Sequence, residues 1–232
     1  MKNIFFYVSS LFLVFSCTED TASTETFEDL SSDASAIDAS GDIYEVGFIQ
    51  ASSNNQNPFV QKKSSDGDLI WQVFHEQTPV DGRASLVAID EDNRVWVSFS
   101  VDGGSNENTY ITKHKVENNA FNSVYMNSYG RGGGAKASIL AEINPENGQI
   151  IKGTFLAAKL TNGNTNSLSI DAIGFDDDGI LLETSSAAWP PGTGASYERY
   201  PNITDEDRVD GQFNINYTIT YDLSEIIKAE IQ

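Results

Sequence analysis

The sequence predicts an all-β domain from residue 36 onward, and three observations support this fold class. Short runs of β-branched and aromatic residues are separated by Asp, Asn and Gly, which favour tight turns. No long apolar pattern with the helical period of about 3.6 residues occurs in this region. The strand-like runs also recur at intervals of about 50 residues, which is typical of a small sheet repeated along the chain.

The first repeated unit is an apolar pair, an Asp-initiated turn closed by Gly or Asn, and then a β-branched residue and an aromatic one. It occurs at residues 36–44 and 88–96, and a weaker copy lies at 174–182. Gly and Asn tolerate a positive φ, and an Asp side chain accepts hydrogen bonds from nearby amides. Each copy is therefore predicted to be a β-hairpin.

A second hairpin unit alternates with the first and is clearest at residues 59–71. Similar patterns predict hairpins at residues 110–119, 141–151 and 217–227. Two hairpins per repeat give four strands in about 50 residues, which is the size of a β-propeller blade. Residues 36–232 are therefore predicted to form one propeller-like array of about four four-stranded antiparallel units, closed or partial. A β-sandwich of similar hairpins is the alternative.

The positions that match a repeat pattern most clearly point to one repeat family. In the first half-repeat the matching residues are Asp38, Gly41, Ile43, Tyr44, Val46 and Gly47. In the second half-repeat they are Phe59, Val60, Lys62, Asp66, Gly67, Leu69 and Trp71. Over residues 36–126 these patterns resemble the bacterial β-propeller repeat family known as SBBP. The resemblance implies a propeller of four-stranded blades, and the second copy departs from it at Asn93, where the family has Gly.

Two segments do not fit the repeats. Residues 129–134 are rich in glycine and are predicted to connect the second and third units. Residues 189–211 are predicted to form a long loop inserted in the last unit, and loops of this length in compact domains are often functional. Trp71 and Trp96 are predicted to occupy equivalent core positions in two blades.

The amino terminus predicts export and a lipid anchor. Lys2 precedes a mostly apolar run from Ile4 to Phe15, which is shorter than the roughly 20 residues needed to span a bilayer. The run ends at Val14-Phe15-Ser16-Cys17, which resembles a lipobox. Residues 1–16 are therefore predicted to be a signal peptide, and Cys17, the only cysteine in the chain, to be the acylated first residue. An ordinary secretory signal or a buried apolar strand is the alternative.

Residues 17–35 are rich in Ser, Thr, Asp and Glu and are predicted to be a flexible acidic tether. Glu19 and Asp20 resemble the export signal of surface-exposed Bacteroidota lipoproteins. The formal net charge of the chain is −20, which repels nucleic acid and anionic headgroups. We therefore expect a protein of the bacterial cell envelope that contacts the outer membrane only through its lipid, facing the cell surface or the periplasm, with no nucleic-acid partner.

The sequence indicates recognition more strongly than catalysis. Trp189, Tyr197 and Tyr200 in the late loop are the best candidates for exposed aromatic residues, which would offer a surface to a protein or glycan partner. For Trp189 the competing and favoured interpretation is that its ring fills the interface between blades. No catalytic residue is assigned, because spacing in a β-fold cannot single out a carboxylate pair among 34 acidic residues. We expect a binding or scaffold protein. The alternatives are a carbohydrate-active hydrolase on a propeller-like scaffold and a structural part of an envelope complex.

No cofactor is expected, although calcium is left open. Hard cations prefer six to eight oxygen ligands, and alternate carboxylates in a tight loop can supply several of them. The candidate ligands are Asp176, Asp178, Asp205, Asp207 and Asp210. The competing interpretation is that these residues simply form turns.

Overall fold

The computed structural model describes residues 30–53, 55–75, 82–102, 116–132 and 135–232. These residues form three four-stranded antiparallel sheets and one two-stranded hairpin, which confirms the all-β fold class. Within the described ranges no helix has the length and apolar character needed to cross a membrane.

Each sheet is a simple meander in which consecutive strands are neighbours. The first sheet contains β1 (Ser35–Ile37), β2 (Ile43–Gln50), β3 (Gln56–Lys63) and β4 (Leu69–Phe74). The second contains β5 (Gly82–Ile89), β6 (Val95–Asp102), β7 (Lys136–Ile143) and β8 (Ile150–Leu156). The third contains β11 (Ser169–Phe175), β12 (Ile180–Ser186), β13 (Phe213–Ile219) and β14 (Ile226–Ile231). The small hairpin between the second and third sheets is formed by β9 (Ala158–Lys159) and β10 (Thr165–Asn166).

The predicted repeat is confirmed in the strand pairing. The three copies of the first unit form the hairpins β1–β2, β5–β6 and β11–β12. The second units at 59–71, 141–151 and 217–227 form β3–β4, β7–β8 and β13–β14. Each of these second hairpins also has a register shift just before its turn, at Lys62/Lys63, Glu142/Ile143 and Thr218/Ile219. A bulge that recurs at the same place increases strand twist in the same way in each sheet.

An Asp side chain organises the first turn of each sheet. Asp90 Oδ1 accepts the backbone N–H of Arg94 at 2.9 Å, and its Oδ2 accepts from Arg94 Nε at 2.7 Å and Trp96 Nε1 at 2.9 Å. Asp38 Oδ1 accepts two backbone N–H groups of its own turn, each at 2.9 Å. Asp176 occupies the corresponding position in the third sheet, and its Oδ1 also accepts hydrogen bonds from two backbone N–H groups. The hairpins therefore use the predicted turn chemistry, in which an Asp carboxylate accepts hydrogen bonds from the backbone N–H groups of its own turn.

The described residues contain three such sheets rather than about four. The strand β6 pairs directly with β7, and not with the hairpin predicted at 110–119. Residues 110–115 lie outside the described residues, and Val116 makes an isolated parallel bridge with Ile150. Residues 103–135 are therefore an insertion within the second sheet. The glycine-rich segment 129–134 belongs to this insertion, so its prediction as a connector between units was wrong.

The second sheet lies between the other two and buries both of its faces. Along β6, Val95, Val97, Phe99 and Val101 pack into a core shared with the first sheet, whereas Trp96 packs into a core shared with the third. This alternation follows from the two-residue period of a strand. The arrangement therefore has three layers of sheet, whereas the alternative β-sandwich has two.

The two predicted core tryptophans do not occupy equivalent positions. Trp96 lies on the second strand of its sheet and is fully buried. Trp71 lies on the fourth strand of the first sheet and is half-buried, with its Nε1 donating to Pro145 O at 3.0 Å. Tyr44 is the residue that corresponds to Trp96, because each lies six residues after its turn Asp and is fully buried.

A short amino-terminal segment ties the three sheets together. Ser31 exchanges two backbone hydrogen bonds with Ile173 of β11, each at 2.9 Å. The carbonyl of Asp33 accepts the N–H of Val87 in β5, and that of Ala34 accepts an N–H of β2, both at 3.0 Å. The segment therefore crosses all three sheets before it enters β1.

This segment corrects the predicted domain boundary. Residues 31–35 were predicted as the end of the tether, but they bond to the sheets, so the folded body begins before residue 36. Residues 17–29 lie outside the described residues. A cavity of about 290 Å³ lies where this segment meets β1, β5 and β11, the first strands of the three sheets.

Replacing Asp90 with Ala should lower the free energy of unfolding by about 2–4 kcal/mol. The Asp90 side chain is 2% exposed, and its removal leaves the buried Trp96 N–H and the Nε–H of Arg94 without their acceptor. Urea unfolding measures the change. The control is Asp92→Ala in the same turn, where a side chain 79% exposed makes only a 3.4 Å contact with Arg94. It should cost less than about 1 kcal/mol. Equal losses for the two variants would contradict the structural role of Asp90.

Candidate functional site

Two long insertions lie at the same connection in two of the three sheets. In the first sheet, the second and third strands are joined by the short connection 51–55. In the second and third sheets the same connection is made by residues 103–135 and 187–212. The predicted loop at 189–211 therefore lies where it was expected, inside the last sheet. In an antiparallel meander these connections emerge at the same end as the links between sheets.

The described part of the first insertion covers the outer edge of the second sheet. Backbone hydrogen bonds of 2.9, 3.0 and 2.9 Å join Glu117, Ala120 and Met126 to strand β8. These bonds satisfy backbone groups that an edge strand would otherwise leave open to another chain. The insertion is thus fixed along the sheet.

The second insertion covers the edge of the third sheet in the same way. Gly194 exchanges two backbone hydrogen bonds with Ile226 of β14, each at 2.9 Å, and Tyr200 Oη donates to Ala229 O at 3.3 Å. The first sheet has only the short connection at this place. On its edge strand β4, Leu69 and Ile70 are 58% and 52% exposed.

A cleft of about 340 Å³ opens between the two insertions. Its described lining comes from three separate segments: Val124, Tyr125, Met126, Asn127 and Ser128 of the first insertion, Lys159 of the small hairpin, and Ser196 and Tyr197 of the second insertion. The wall at 124–128 is fixed by bonds from Tyr125 N to Leu223 O at 2.7 Å and from Met126 N to Thr154 Oγ1 at 2.9 Å. The cleft is therefore bounded by backbone that is tied to both neighbouring sheets.

Lys159 supplies the positive charge in the described lining of this cleft. Its backbone N–H and C=O both bond to Trp189, at 2.9 and 3.1 Å. Its Nζ lies 4.0 Å from the centroid of the Tyr197 ring, and the Tyr197 hydroxyl donates to Trp189 O at 2.8 Å. Partial burial lowers the pKa of Lys159 because desolvation disfavours the charged ammonium.

The tyrosines of the site keep their protons at neutral pH. Burial raises the pKa of Tyr197 to about 12 and raises that of Tyr125 further. Tyr125 is 3% exposed, and its hydroxyl has no hydrogen-bond partner among the described residues. Both phenols therefore remain neutral groups that can donate a hydrogen bond.

The three predicted binding aromatics take different positions. Tyr197 lines the cleft. Trp189 is half-buried between Arg199, whose guanidinium carbon lies 3.4 Å from its ring centroid, and Phe213 at 5.3 Å. Trp189 and Tyr200 therefore hold the second insertion in place and do not line the cleft.

Sequence reasoning missed Tyr125 and Lys159. Tyr125 lies in a run of Ser, Asn and Gly that gives no strand or motif signal, and Lys159 follows a buried strand just before an Asn-Gly turn. Neither residue has a local pattern that marks it as functional. They become neighbours of Tyr197 only through tertiary packing.

Two of the candidate calcium ligands lie in the first turn of the third sheet. Asp176 Oδ1 accepts the backbone N–H groups of Asp178 and Gly179, at 2.9 and 2.8 Å. These bonds use the Asp176 carboxylate as a turn-forming group. Among the described residues no three Asp, Glu, His or Cys side chains converge in a way that could hold a metal ion.

The other three candidates lie in or beside the 3₁₀-helix Asp205–Asp207. Asp205 pairs with Arg208 Nε at 2.8 Å, and Asp207 Oδ2 accepts the N–H of Thr204 at 2.7 Å in a capping box. Asp210 has a φ of 52°, in the left-handed region that Asp tolerates. All three thus shape the second insertion.

The site is a preformed cleft, built from two insertions and a hairpin on a repeated β-scaffold. Its described lining includes one lysine, two tyrosines, two serines and one asparagine, of which the Tyr125 hydroxyl is buried and the Tyr197 hydroxyl already donates to Trp189 O. No family model matches the chain, and no curated protein is significantly similar to it.

Proposed function

We propose that the protein is an exported, lipid-anchored binding protein that captures a small saccharide in the cleft between its two insertions. The observation that carries this proposal is the cleft itself. Its volume of about 340 Å³ lies within the range of small-molecule sites, roughly 300–1,000 Å³. The polar side chains of Asn127, Ser128 and Ser196 can exchange hydrogen bonds with ring hydroxyls.

The amino-terminal sequence supports the anchoring part of the proposal. Residues 1–17 combine a positive start, an apolar run and a lipobox-like ending at Cys17. Acylation of Cys17 would hold the acidic body close to the outer membrane, with residues 18–29 as a tether. The protein would then present its cleft to the cell surface or the periplasm.

We further propose that the three sheets are a partial propeller of the SBBP type. The alternating hairpins and their recurring bulges support this interpretation, as does the meeting of β1, β5 and β11 around one cavity. In propellers the first strands of the blades surround a central channel. The insertions would then stand outside the ring, on the outer edges of two blades.

The cleft gives no support to the alternative of a hydrolase. Glycoside hydrolysis commonly uses two carboxyl groups on either side of the scissile bond. The described residues that line the cleft include no Asp or Glu. Binding is therefore the function that its geometry favours.

Replacing Cys17 with Ser should abolish acylation and shift the protein from the membrane fraction to the soluble fraction. Fractionation and metabolic labelling with palmitate measure the two effects. The control is Ser16→Ala, which keeps a small residue before the cysteine and should be processed normally. Unchanged membrane association of the Cys17→Ser protein would rule out the lipid anchor.

Replacing Ser196 with Trp should weaken saccharide binding at least about tenfold, because an indole at this exposed position fills the cleft. The measurement is saturation-transfer NMR with a panel of neutral and acidic monosaccharides and disaccharides. Ser53→Trp is the control, since it places the same side chain on the short connection of the first sheet. Binding that survives in Ser196→Trp, or no binding by the unaltered protein, would refute the cleft as a saccharide site.

A further inference from the structure

We infer that the cleft selects a sugar acid, a saccharide unit with a single carboxylate, and that Lys159 is the residue that recognises this group. The inference rests on the proposed function and names the chemistry of its ligand. Three features carry it: an ammonium without an anionic partner, a buried phenol without an acceptor, and a lining suited to hydroxyl groups.

The first feature is the state of Lys159. Among the described residues no carboxylate forms an ion pair with it, and its ammonium lies over the face of the Tyr197 ring. Partial burial of an ammonium group is unfavourable unless an anion compensates for it, and a cation–π contact does so only in part. An anionic ligand bound next to Lys159 would compensate for this charge.

Other lysines of the chain show that carboxylates are readily available. Lys62 pairs with Asp38 at 3.4 Å and with Asp42 at 3.0 Å, and Lys63 pairs with Glu45 at 2.6 Å. The whole chain contains 34 acidic residues against 14 basic ones. Lys159 differs from these lysines because its ammonium lines a cleft and has no carboxylate within ion-pair distance among the described residues, as expected of a group that binds a ligand.

The second feature is the hydroxyl of Tyr125, a residue of the first insertion that lines the cleft. It is buried and has no acceptor among the described residues. Buried hydroxyl groups are usually satisfied, and unsatisfied ones occur preferentially at functional sites. Because this hydroxyl is itself buried, it marks the wall of the cleft as an unusual region, and the anion of the ligand is placed at Lys159.

The third feature concerns the rest of the ligand. Asn127, Ser128 and Ser196 offer donors and acceptors in the lining, which suits a ring with several hydroxyl groups. The net charge of −20 repels polyanions at long range. A single carboxylate feels this repulsion less, because it carries only one negative charge. These two properties favour a sugar acid over an acidic polymer or an acidic peptide.

The test compares D-glucuronate with D-glucose, which share a ring and differ in one carboxylate. Titration calorimetry on the full chain in detergent should show glucuronate binding at least about tenfold more tightly, as expected for a charge-assisted hydrogen bond. Lys159→Met should reduce the affinity for glucuronate to that for glucose while the protein stays folded by circular dichroism. Lys136→Met, which removes an exposed lysine from β7 outside the described lining of the cleft, should leave both affinities unchanged.

The other outcomes separate this inference from the proposed function. Equal affinities for the two sugars, or unchanged glucuronate binding in Lys159→Met, would overturn the inference and leave saccharide binding in place. Tighter binding of an acidic dipeptide than of glucuronate would overturn it in favour of a peptide ligand. If no saccharide binds, both the inference and the proposed function fail.

Discussion

The structure depends on the burial of both faces of the second sheet. Its central strands β6 and β7 alternate their side chains between a core shared with the first sheet and a core shared with the third. A strand with a two-residue period can do this only if both sides carry apolar groups, as the run Val95-Trp96-Val97 does. The flanking sheets need to supply only one apolar face each, and their outer faces can remain partly polar.

Much of the fold could be predicted from the sequence because the turn chemistry is local. Asp38 and Asp90 begin hairpins whose amides bond to the Asp side chain, and a single sequence reveals this pattern. The pairing of β6 with β7 could not be predicted, because the strand-like run at 110–113 lies at the spacing expected for the next strand. Local strand propensity cannot show that the correct partner lies after an insertion.

The candidate site was predictable only in part. The second insertion was visible as a long interruption of the repeat, and Tyr197 within it lines the cleft. Tyr125 and Lys159 come from segments far away in the sequence, and only the packing of the third sheet against the second brings them to Tyr197. Trp189 is half-buried because its ring packs between the Arg199 guanidinium and the Phe213 ring.

Amide hydrogen exchange of the intact protein tests the central role of the second sheet most directly. We predict the slowest exchange in β6 and β7, which are covered on both faces and paired on both edges. The edge strand β4, which among the described residues pairs only with β3, should exchange much faster, and the edges of β8 and β14 should be protected where the insertions bond to them. Protection that is equal in the first and second sheets, or greatest in β2 and β3, would contradict the central role of the second sheet.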